Sequence, residues 1–409
     1  MAVVLIFLFL VALFWLVLFV SPAHKVFFRE TLDAHTALPD PVDWPAVTVI
    51  VPARNEAAML PRTVPSICQQ DYPTFRVIVV DDQSDDASPD ILRRLEIENP
   101  GLTVIRAADR PAGWCGKPWA VMQGVAHPAA ATELLLFTDA DIEFNPLALR
   151  QAVRLLAAGP YDLVSLFPQL VFSCTSERIG LTGLVTVLAL LFPAGVVNNP
   201  KSKQALAAGG FMLVRRSAYE SVGGHAAVRD QVIEDINLAK VLKAAGHRLH
   251  IRLTDDLITT RMYENLGDLW EGLAKNAYAG VEHRAWKFVL GSIACVLVAV
   301  LPPVYFVVSL AAALLTYPRT PPMLWAVVAV SAGINLLMHA IHRRTIRHFR
   351  LPAWHAWLMP VSLGFYQVIA VHSVYQHVVH GGAVWKGRRY GAARAVGAVG
   401  AAANDHAGM

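Results

Sequence analysis

The protein has 409 residues, of which 55% are hydrophobic and 16% are charged, and its formal net charge at pH 7 is +4. So small an excess of basic residues gives no reason to expect a nucleic-acid partner. The four cysteines, Cys68, Cys115, Cys174 and Cys295, are widely spaced. Their spacing excludes a disulfide framework and a C-x-x-C zinc site, and reduced thiols suit a cytoplasmic domain.

The N-terminal segment is predicted to be a retained membrane anchor. Residues 1–20 carry no charged side chain and are long enough to span a bilayer core of roughly 30 Å. A cleaved signal peptide would begin with a basic region and have a shorter apolar core. Residues 21–45 are predicted to be a linker to a domain at residues 46–287.

Alternating strands and helices are predicted for the first part of this domain. The β-branched stretch AVTVIVPARNE, residues 46–56, predicts a strand that ends in a polar turn. The pattern continues with a helix up to residue 70, a strand at 75–86, a helix, a strand at 102–107, a helix at 117–126 and a strand at 134–137. This alternation indicates an α/β fold with a mostly parallel, Rossmann-like sheet.

Polar residues follow three of the predicted strands, and ligands of parallel sheets bind at the carboxyl ends of the strands. We expect one crevice to be lined by Arg54, Asn55 and Glu56, by Asp81 and Asp82, and by Asp139 and Asp141. No G-x-G-x-x-G follows the first strand, and no G-x-x-x-x-G-K-[ST] occurs in the chain. The fingerprints of a dinucleotide site and of a P-loop are therefore missing.

Two acidic pairs suggest different roles in this crevice. Asp139 and Asp141 would repel each other at one strand end unless a cation lay between them, and hard oxygen ligands suit Mg²⁺ or Mn²⁺. Asp81 or Asp82 would accept a hydrogen bond from a base and bind a ribose. Each pair taken alone is also explained by a solvated turn, so the hypothesis depends on their occurrence together.

Lys117 and the acidic pair Glu234 and Asp235 can each be interpreted either as functional residues or as ordinary structural ones. Lys117 follows a glycine-rich loop at a predicted helix start, where backbone N–H groups favour a diphosphate; a surface turn explains it equally well. Glu234 and Asp235 open a predicted amphipathic helix, where acids are also ordinary partners of the helix dipole. The glycine-rich stretch 205–225 just upstream indicates a tight loop lining a cavity and favours a functional role for the two acids.

Five motifs give the chain a family resemblance over residues 46–252. They are VPARNE, VVDDQSDD, TDADI, GGFMLVRRSAYESVGG and EDINLAKVLKAAG, in that order. With them the chain resembles the family 2 glycosyltransferases of the GT-A fold. The segment RPAGWCGKPWA looks most like hopanoid-biosynthesis-associated glycosyltransferases. Ceramide glucosyltransferases and carotenoid glycosyltransferases are similar but more distant.

The resemblance implies a nucleotide-sugar donor (UDP-sugar or GDP-sugar), a divalent cation and inversion at the anomeric carbon. It implies that Asp82 recognises the nucleotide, that Asp141 is the principal metal ligand beside Asp139, and that Asp235 is the general base next to Glu234. Donor binding would then involve Pro52, Ala53, Arg54, Glu56, Asp81, Asp82, Lys117 and Asp139.

One family motif is absent, because residues 261–280 contain no Q-x-x-R-W. This makes a long-chain polysaccharide polymerase a poor fit. We expect its contacts to the acceptor or diphosphate to come instead from Gly209, Gly210, Arg261, Trp270 and Lys275.

The C-terminal part, residues 288–380, is predicted to hold two or three membrane segments, at 288–318, 322–341 and 351–377. Residues 342–350 are predicted to be a loop, and their arginines place this loop in the cytoplasm by the positive-inside rule. The basic part of the tail, 381–409, also favours the cytoplasm, but a full span at 351–377 would place that tail outside. The third segment is therefore predicted to be either a span or a re-entrant or interfacial helix. The Ala/Gly-rich end, 391–409, is predicted to be disordered.

The uncharged stretch 179–200 is predicted to be interfacial near a lipid acceptor, or a core helix, because a span there would separate Asp141 from Asp235. The leading hypothesis is transfer of a sugar to a membrane lipid, with the catalytic domain at the cytoplasmic face of the cell (inner) membrane. Transfer to polyprenyl phosphate or a short glycan is the enzymatic alternative. A non-catalytic membrane scaffold or transporter is disfavoured, because the predicted spans contain no Asp, Glu, Lys or Arg to mark a pathway.

Overall fold

The computed structural model describes residues 1–21, 28, 31–385 and 388–390. Its strands are β1 (Thr31–Leu32), β2 (Val47–Ala53), β3 (Phe75–Asp81), β4 (Leu102–Arg106), β5 (Leu134–Phe137), β6 (Ile142–Phe144), β7 (Leu163–Phe167), β8 (Gln169–Leu170), β9 (Met212–Arg215), β10 (Leu249–Thr254), β11 (Ile258–Thr260), β12 (Ala383–Trp385) and β13 (Arg388–Tyr390).

The helices of the N-terminal segment and the central domain are α1 (Ala2–Val20), α2 (Leu60–Cys68), α3 (Ser88–Glu98), α4 (Gly116–Ala126), α5 (Ala148–Ala157), α6 (Thr175–Leu191), α7 (Ala194–Val197), α8 (Arg216–Ser221), α9 (Glu234–Ala244) and α10 (Leu266–Ala277). The C-terminal helices are α11 (Ala285–Cys295), α12 (Leu301–Leu315), α13 (Pro322–His348) and α14 (Met359–His380). A π-helical turn, Val296–Val300, joins α11 to α12, and a 3₁₀ turn, Ala353–Leu358, precedes α14.

The central domain is built on an eight-stranded sheet with the order β1-β10-β7-β9-β5-β2-β3-β4. All its pairings are parallel except the two made by β9. The predicted fold class is confirmed. The predicted strands were too long at their carboxyl ends, since β3 stops at Asp81 and its polar continuation leaves the sheet as a loop.

Apolar side chains cover both faces of the central strands, because successive residues of a strand point to opposite faces. Val49 and Val77 pack with α2 and α5 on one face. Ile50 and Ile78 pack with α4 and α9 on the other. The sheet is therefore buried between two helical layers, and its strand ends are what remains available for a ligand.

Four helical segments of the described residues are long and apolar enough to cross a membrane: residues 2–20, 285–315, 322–348 and 353–380. The first three pack together, since Trp15 Nε1 donates to the Val298 carbonyl at 2.8 Å and Phe7 lies 6.1 Å from Tyr305 between ring centroids. One prediction needs correction, because most of the basic stretch 342–350 forms the last turns of α13 and not a loop. The Ala/Gly-rich end 391–409, predicted to be disordered, lies outside the described residues.

Helix α6 occupies the stretch for which an interfacial or core position was predicted. It ends at Leu191 after 17 residues and packs between the sheet domain and the C-terminal helices. Ser362 Oγ donates to the Ile179 carbonyl at 2.5 Å, and the Thr186 and Thr345 hydroxyls lie 2.6 Å apart. A Cβ on Gly183 would lie 2.3 Å from Ser362 Cβ, so this glycine permits the close approach of α14.

Candidate active site

The carboxyl ends of β2 and β3 lie side by side, with Ala53 paired to Asp81 in parallel register. Arg54 follows β2, and its Nη1 donates to the backbone carbonyls of Asp82 at 2.7 Å and Gln83 at 2.6 Å. The sequence predicted donor contacts for Arg54. In this structure its guanidinium fastens the loop that carries Asp82.

The same two loops are held by further side-chain bonds. The Asn55 amide donates to Ser84 Oγ at 3.0 Å, the Glu56 amide donates to Ser88 Oγ at 2.9 Å, and the Ser84 amide donates to Asp81 Oδ1 at 3.0 Å. Asn55 and Gln83 adopt positive φ angles of 53° and 56°, which allow both strands to end in sharp polar turns. Of the residues predicted to bind the donor, those of the β2 and β3 ends and of the loops after them are thus brought together at one edge.

Four charged residues form a second group, called here the acid centre: Lys117, Asp139, Glu234 and Asp235. Lys117 is in the first turn of α4, Asp139 follows β5, and the other two acids open α9. Lys117 Nζ lies 2.5 Å from Asp139 Oδ1 and 2.6 Å from Glu234 Oε1. Elements far apart in the chain therefore place one cation between two carboxylates.

Asp235 has no such ion pair in the described part of the chain, and backbone amides hold its carboxylate instead. The amide of Gly209 donates to Oδ2 at 2.8 Å, and the amide of Ile236 donates to Oδ1 at 2.7 Å. A Cβ at residue 209 would lie 2.8 Å from Lys117 Nζ and 3.1 Å from Asp235 Oδ2. Glycine is thus required here for the close approach of the backbone. Gly210 is packed against Ile142.

The electrostatics of the acid centre separate the two acids of α9. Burial, and then the negative charge of Glu234, raises the pKa of Asp235 to about 6, against a lowering by Lys117. Burial would lower the pKa of Lys117, but Asp139, Glu234 and Asp235 together raise that pKa well above its usual value. The ammonium therefore stays charged and pairs with both Asp139 and Glu234, whereas Asp235 keeps a carboxylate basic enough to take a proton.

Two further side chains, His225 and Lys275, border the acid centre. His225 is buried, its ring lies 4.8 Å from that of Phe137, and burial and the charge of Lys117 lower its pKa to about 3. It is therefore neutral. Lys275, on α10, faces the same acids, and burial lowers its pKa. The sequence predicted a role for Lys275 but missed His225, because a histidine after two glycines carries no recognisable signal.

A cleft of about 330 Å³ adjoins the acid centre through the turn Asp139-Ala140-Asp141. It is lined by Met59, Arg62, Asp141, Glu143, Val171, Phe172, Ser173, Thr259, Thr260 and Arg261. The sequence predicted Asp141 and Arg261 for the site but not the other lining residues, because these come from segments with no motif of their own. Trp270 is not among these lining residues, and its indole N–H donates to His372 Nδ1 at 2.8 Å.

A divalent cation is compatible with this arrangement. Among the described residues there is no cluster of three or more His, Cys, Asp or Glu side chains that could hold an ion alone. Mg²⁺, however, is commonly held by one or two carboxylates and completed by substrate phosphates. Asp141 in the cleft, with Asp139 two residues before it, supplies the oxygen donors that such a shared site needs.

The family model of glycosyl transferase family 2 matches residues 48–223, which contain the loops after β2, β3 and β5. This part of the chain is therefore similar to the family 2 glycosyltransferases. The family and GT-A fold predicted from the motifs are confirmed at this level. The closer likeness to hopanoid-biosynthesis-associated enzymes stays a prediction, and so do the roles of the individual site residues.

Relatives extend the likeness beyond the glycosyltransferase domain. The 4,4'-diaponeurosporenoate glycosyltransferases of Staphylococcus aureus strains MRSA252 and USA300 are each 27% identical to this chain over 365 residues. Each match covers 84% of this chain and 88% of the relative, so it includes C-terminal membrane segments. The solved mannosyltransferase PcManGT from Pyrobaculum calidifontis, in complex with GDP-Man and Mn²⁺, is 20% identical with a TM-score of 0.51. That alignment covers 91% of this chain and 99% of the mannosyltransferase, and it shows a common fold.

The position of Lys117 predicts how activity depends on pH. Asp235 must be ionised to accept a proton, so activity should fall as the pH drops through about 6. Because Lys117 lowers the pKa of Asp235, Lys117→Met should move this acidic limb to higher pH. The measurement is kcat/KM against pH for the wild type and the variant, with Lys240→Met on the exposed side of α9 as a matched control. A limb that moved to lower pH would contradict the assignment.

Proposed function

We propose that the protein is an inverting glycosyltransferase that moves a sugar from a nucleotide-sugar, UDP-sugar in the first instance, to a lipid acceptor at the cytoplasmic membrane face. The observation that carries the proposal is the acid centre. It combines one ionised lysine, two carboxylates that form ion pairs with this lysine, and one carboxylate of raised pKa at the ligand-binding edge of a GT-A sheet.

Donor binding would use the edge formed by β2 and β3. Asp82 is buried at the start of the loop after β3, and the bonds from Arg54 hold that loop in place. Bound to Asp141 and Asp139, Mg²⁺ or Mn²⁺ would supply positive charge against the leaving nucleoside diphosphate. Lys117, directly after the glycine-rich loop at the start of α4, would add a second cation to the same phosphates.

Asp235 would act on the acceptor. An acceptor hydroxyl is a poor nucleophile until a positioned base takes its proton. Asp235 is oriented for this by the amides of Gly209 and Ile236. A single base and direct attack on the anomeric carbon give inversion, because no side chain needs to form a covalent glycosyl intermediate.

The acceptor would enter from the membrane side of the cleft. Phe172 lines the cleft, and its ring lies 5.5 Å from that of Phe349 just after α13. The cleft thus opens beside the end of a candidate membrane helix, where a lipid headgroup would be accessible. The relatives' action on diaponeurosporenoate, named for those proteins, supports a lipid-like acceptor here. A hopanoid acceptor is the specific candidate that the motifs favour.

The test is release of UDP by the full-length protein in membranes or detergent when UDP-sugars and extracted lipid are supplied together. We expect release that requires both substrates, and a product whose anomeric configuration, read by NMR coupling constants, is opposite to that of the donor. UDP release that is independent of any lipid acceptor would contradict the lipid assignment. Retained configuration would contradict the single-base mechanism.

A further inference from the structure

Helix α14 and the turn before it are long and apolar enough to span a bilayer, but their contacts follow a different course. A helix of 22 residues is about 33 Å long at 1.5 Å per residue. If α14 crossed the membrane away from the glycosyltransferase domain, its far end would lie roughly 30 Å from that domain. The residues that contact each end of α14 show where that end lies relative to the glycosyltransferase domain.

The N-terminal end of α14 lies beside the glycosyltransferase domain. Ser362 donates to the carbonyl of Ile179 in α6. The C-terminal end of α13, which is close by, also contacts that domain. Gln169 Nε2 donates to the His348 carbonyl at 3.0 Å, and His348 Nδ1 lies 3.4 Å from Asp255 Oδ1.

The C-terminal end of α14 returns to the same domain. Ser373 Oγ donates to the Ala274 carbonyl of α10 and accepts from the Tyr278 amide at 3.2 Å. The ring of His377 lies 5.4 Å from Tyr278 and 5.0 Å from His283, which precedes α11. Strand β12, three residues after α14, also lies against α10.

The middle of α14 is hydrogen-bonded to the same domain and to the start of α11. Gln367 Nε2 donates to Ser292 Oγ, in the second turn of α11, at 2.6 Å, and Trp270 of α10 donates to His372. The hydrogen bonds at the start, middle and end of α14 therefore all go to the glycosyltransferase domain or to the first turns of the segment that leaves it. Met359 and Leu363, near the start of α14, also pack with apolar side chains of α1, α13 and the π-helical turn.

The opposite face of α14 is apolar and uncovered. Val361, Val368, Val371, Tyr375 and Val378 are each more than half exposed and follow the spacing of one helix face. Trp354 and Trp357, in the preceding turn, are also more than half exposed, and tryptophan is enriched at membrane–water interfaces. This stripe is called here the α14 apolar face.

The charges of the sequence agree with the contacts. Arg343, Arg344 and Arg347 end α13, and Lys386, Arg388 and Arg389 follow α14. Basic residues flanking membrane segments gather on the cytoplasmic side. If α14 crossed, these two basic groups would lie on opposite sides of the membrane. If it does not cross, they lie on the same side.

We infer that α14 lies in the membrane interface on the side of the glycosyltransferase domain, with the α14 apolar face against the lipids of that leaflet. The chain then crosses the membrane three times, and its C-terminal tail is on the same side as the glycosyltransferase domain. Because α10 carries Lys275 and is bonded along its length to α14, the lipid-bound helix also supports one wall of the acid centre. This inference concerns topology and does not depend on the proposed reaction.

The first test locates the C-terminus in intact cells. Full-length protein carries a C-terminal fusion to green fluorescent protein or to alkaline phosphatase, which are active only inside and only outside the cytoplasm respectively. In a background without the four native cysteines, Asp90→Cys on α3 and Arg319→Cys between α12 and α13 are labelled with a membrane-impermeant maleimide. We expect the C-terminal reporter on the side of residue 90 and opposite to residue 319. A reporter on the side of residue 319 would overturn the inference.

The two proposals fail separately in this experiment. If residue 90 and the C-terminus are both outside, the inference stands and the cytoplasmic placement of the glycosyltransferase domain is wrong. If residue 90 is inside and the C-terminus is outside, α14 crosses, and the proposed reaction is untouched.

The second test measures depth. Single nitroxide labels replace Val361, Val368, Val371, Tyr375 and Val378 in the full chain reconstituted in phosphatidylglycerol-containing vesicles, and their exposure to oxygen and to a nickel chelate gives their depth. We expect one shallow depth at all five positions. A crossing helix would instead give depths differing by about 25 Å along 17 residues, and that result would overturn the inference.

Discussion

Replacing Asp235 with asparagine should lower turnover by about 10²–10⁴-fold while UDP-sugar affinity changes little, because a positioned base contributes on that scale. Asparagine has the size of aspartate but cannot accept the acceptor proton. The donor would remain held by Asp82, Lys117 and the cation, on loops that asparagine at 235 does not disturb. The measurements are single-turnover rates and UDP-sugar titration by calorimetry on the same preparations.

The neighbouring acid supplies the comparison for this prediction. Glu234→Gln removes a carboxylate paired with Lys117 at 2.6 Å, so it should change donor affinity more than the chemical step. Asp90→Asn, in an exposed ion pair on α3, should change neither, since exposed pairs contribute about 0–1 kcal/mol. Near-normal turnover in Asp235→Asn together with its loss in Glu234→Gln would assign the base to Glu234 instead.

Replacing Asp141 with alanine should abolish metal-dependent transfer, and a chelator should do the same to the wild type. Loss of the charge stabilisation provided by a cation costs several kcal/mol in the transition state, which corresponds to at least about 10³-fold in rate. Asp141 lines the cleft with part of its side chain accessible, so the variant should fold. Transfer rates and Mn²⁺ binding in the presence of UDP give the result.

Two comparisons make the metal prediction specific. Added Mn²⁺ or Mg²⁺ should restore the chelated wild type but not Asp141→Ala. Glu98→Ala removes an exposed acid whose carboxylate lies 3.8 Å from Arg94 and should behave as the wild type. Full activity of Asp141→Ala, or of the wild type in excess chelator, would show that Asp141 and the cation are not required.

The sequence determined the elements and the residue types at their ends. Continuous apolar runs and β-branched content are local properties, and they were sufficient to predict β2, β3 and β5, after which the acids follow in the sequence. Because parallel strands all present their carboxyl ends at one edge, a shared crevice followed from topology. The family motifs then connected these positions to a glycosyltransferase.

The tertiary structure alone decided the partners within that crevice. Lys117 lies between Asp139 and Glu234, and the Gly209 amide holds Asp235, because helices α4 and α9 and the loop before β9 dock at the same strand ends. No local sequence pattern predicts which of several acids forms an ion pair with Lys117. The ion pair depends on distances set by the packing of elements far apart in the chain.

The same division holds for the membrane segments. Hydropathy gave the lengths of four candidate spans but left α14 either crossing or lying in the interface, since both require an apolar face of similar length. Its hydrogen bonds to α6, α10 and α11 locate both of its ends beside the glycosyltransferase domain. Length and composition are properties of one helix, whereas the path of that helix through the membrane is fixed by what its two ends contact.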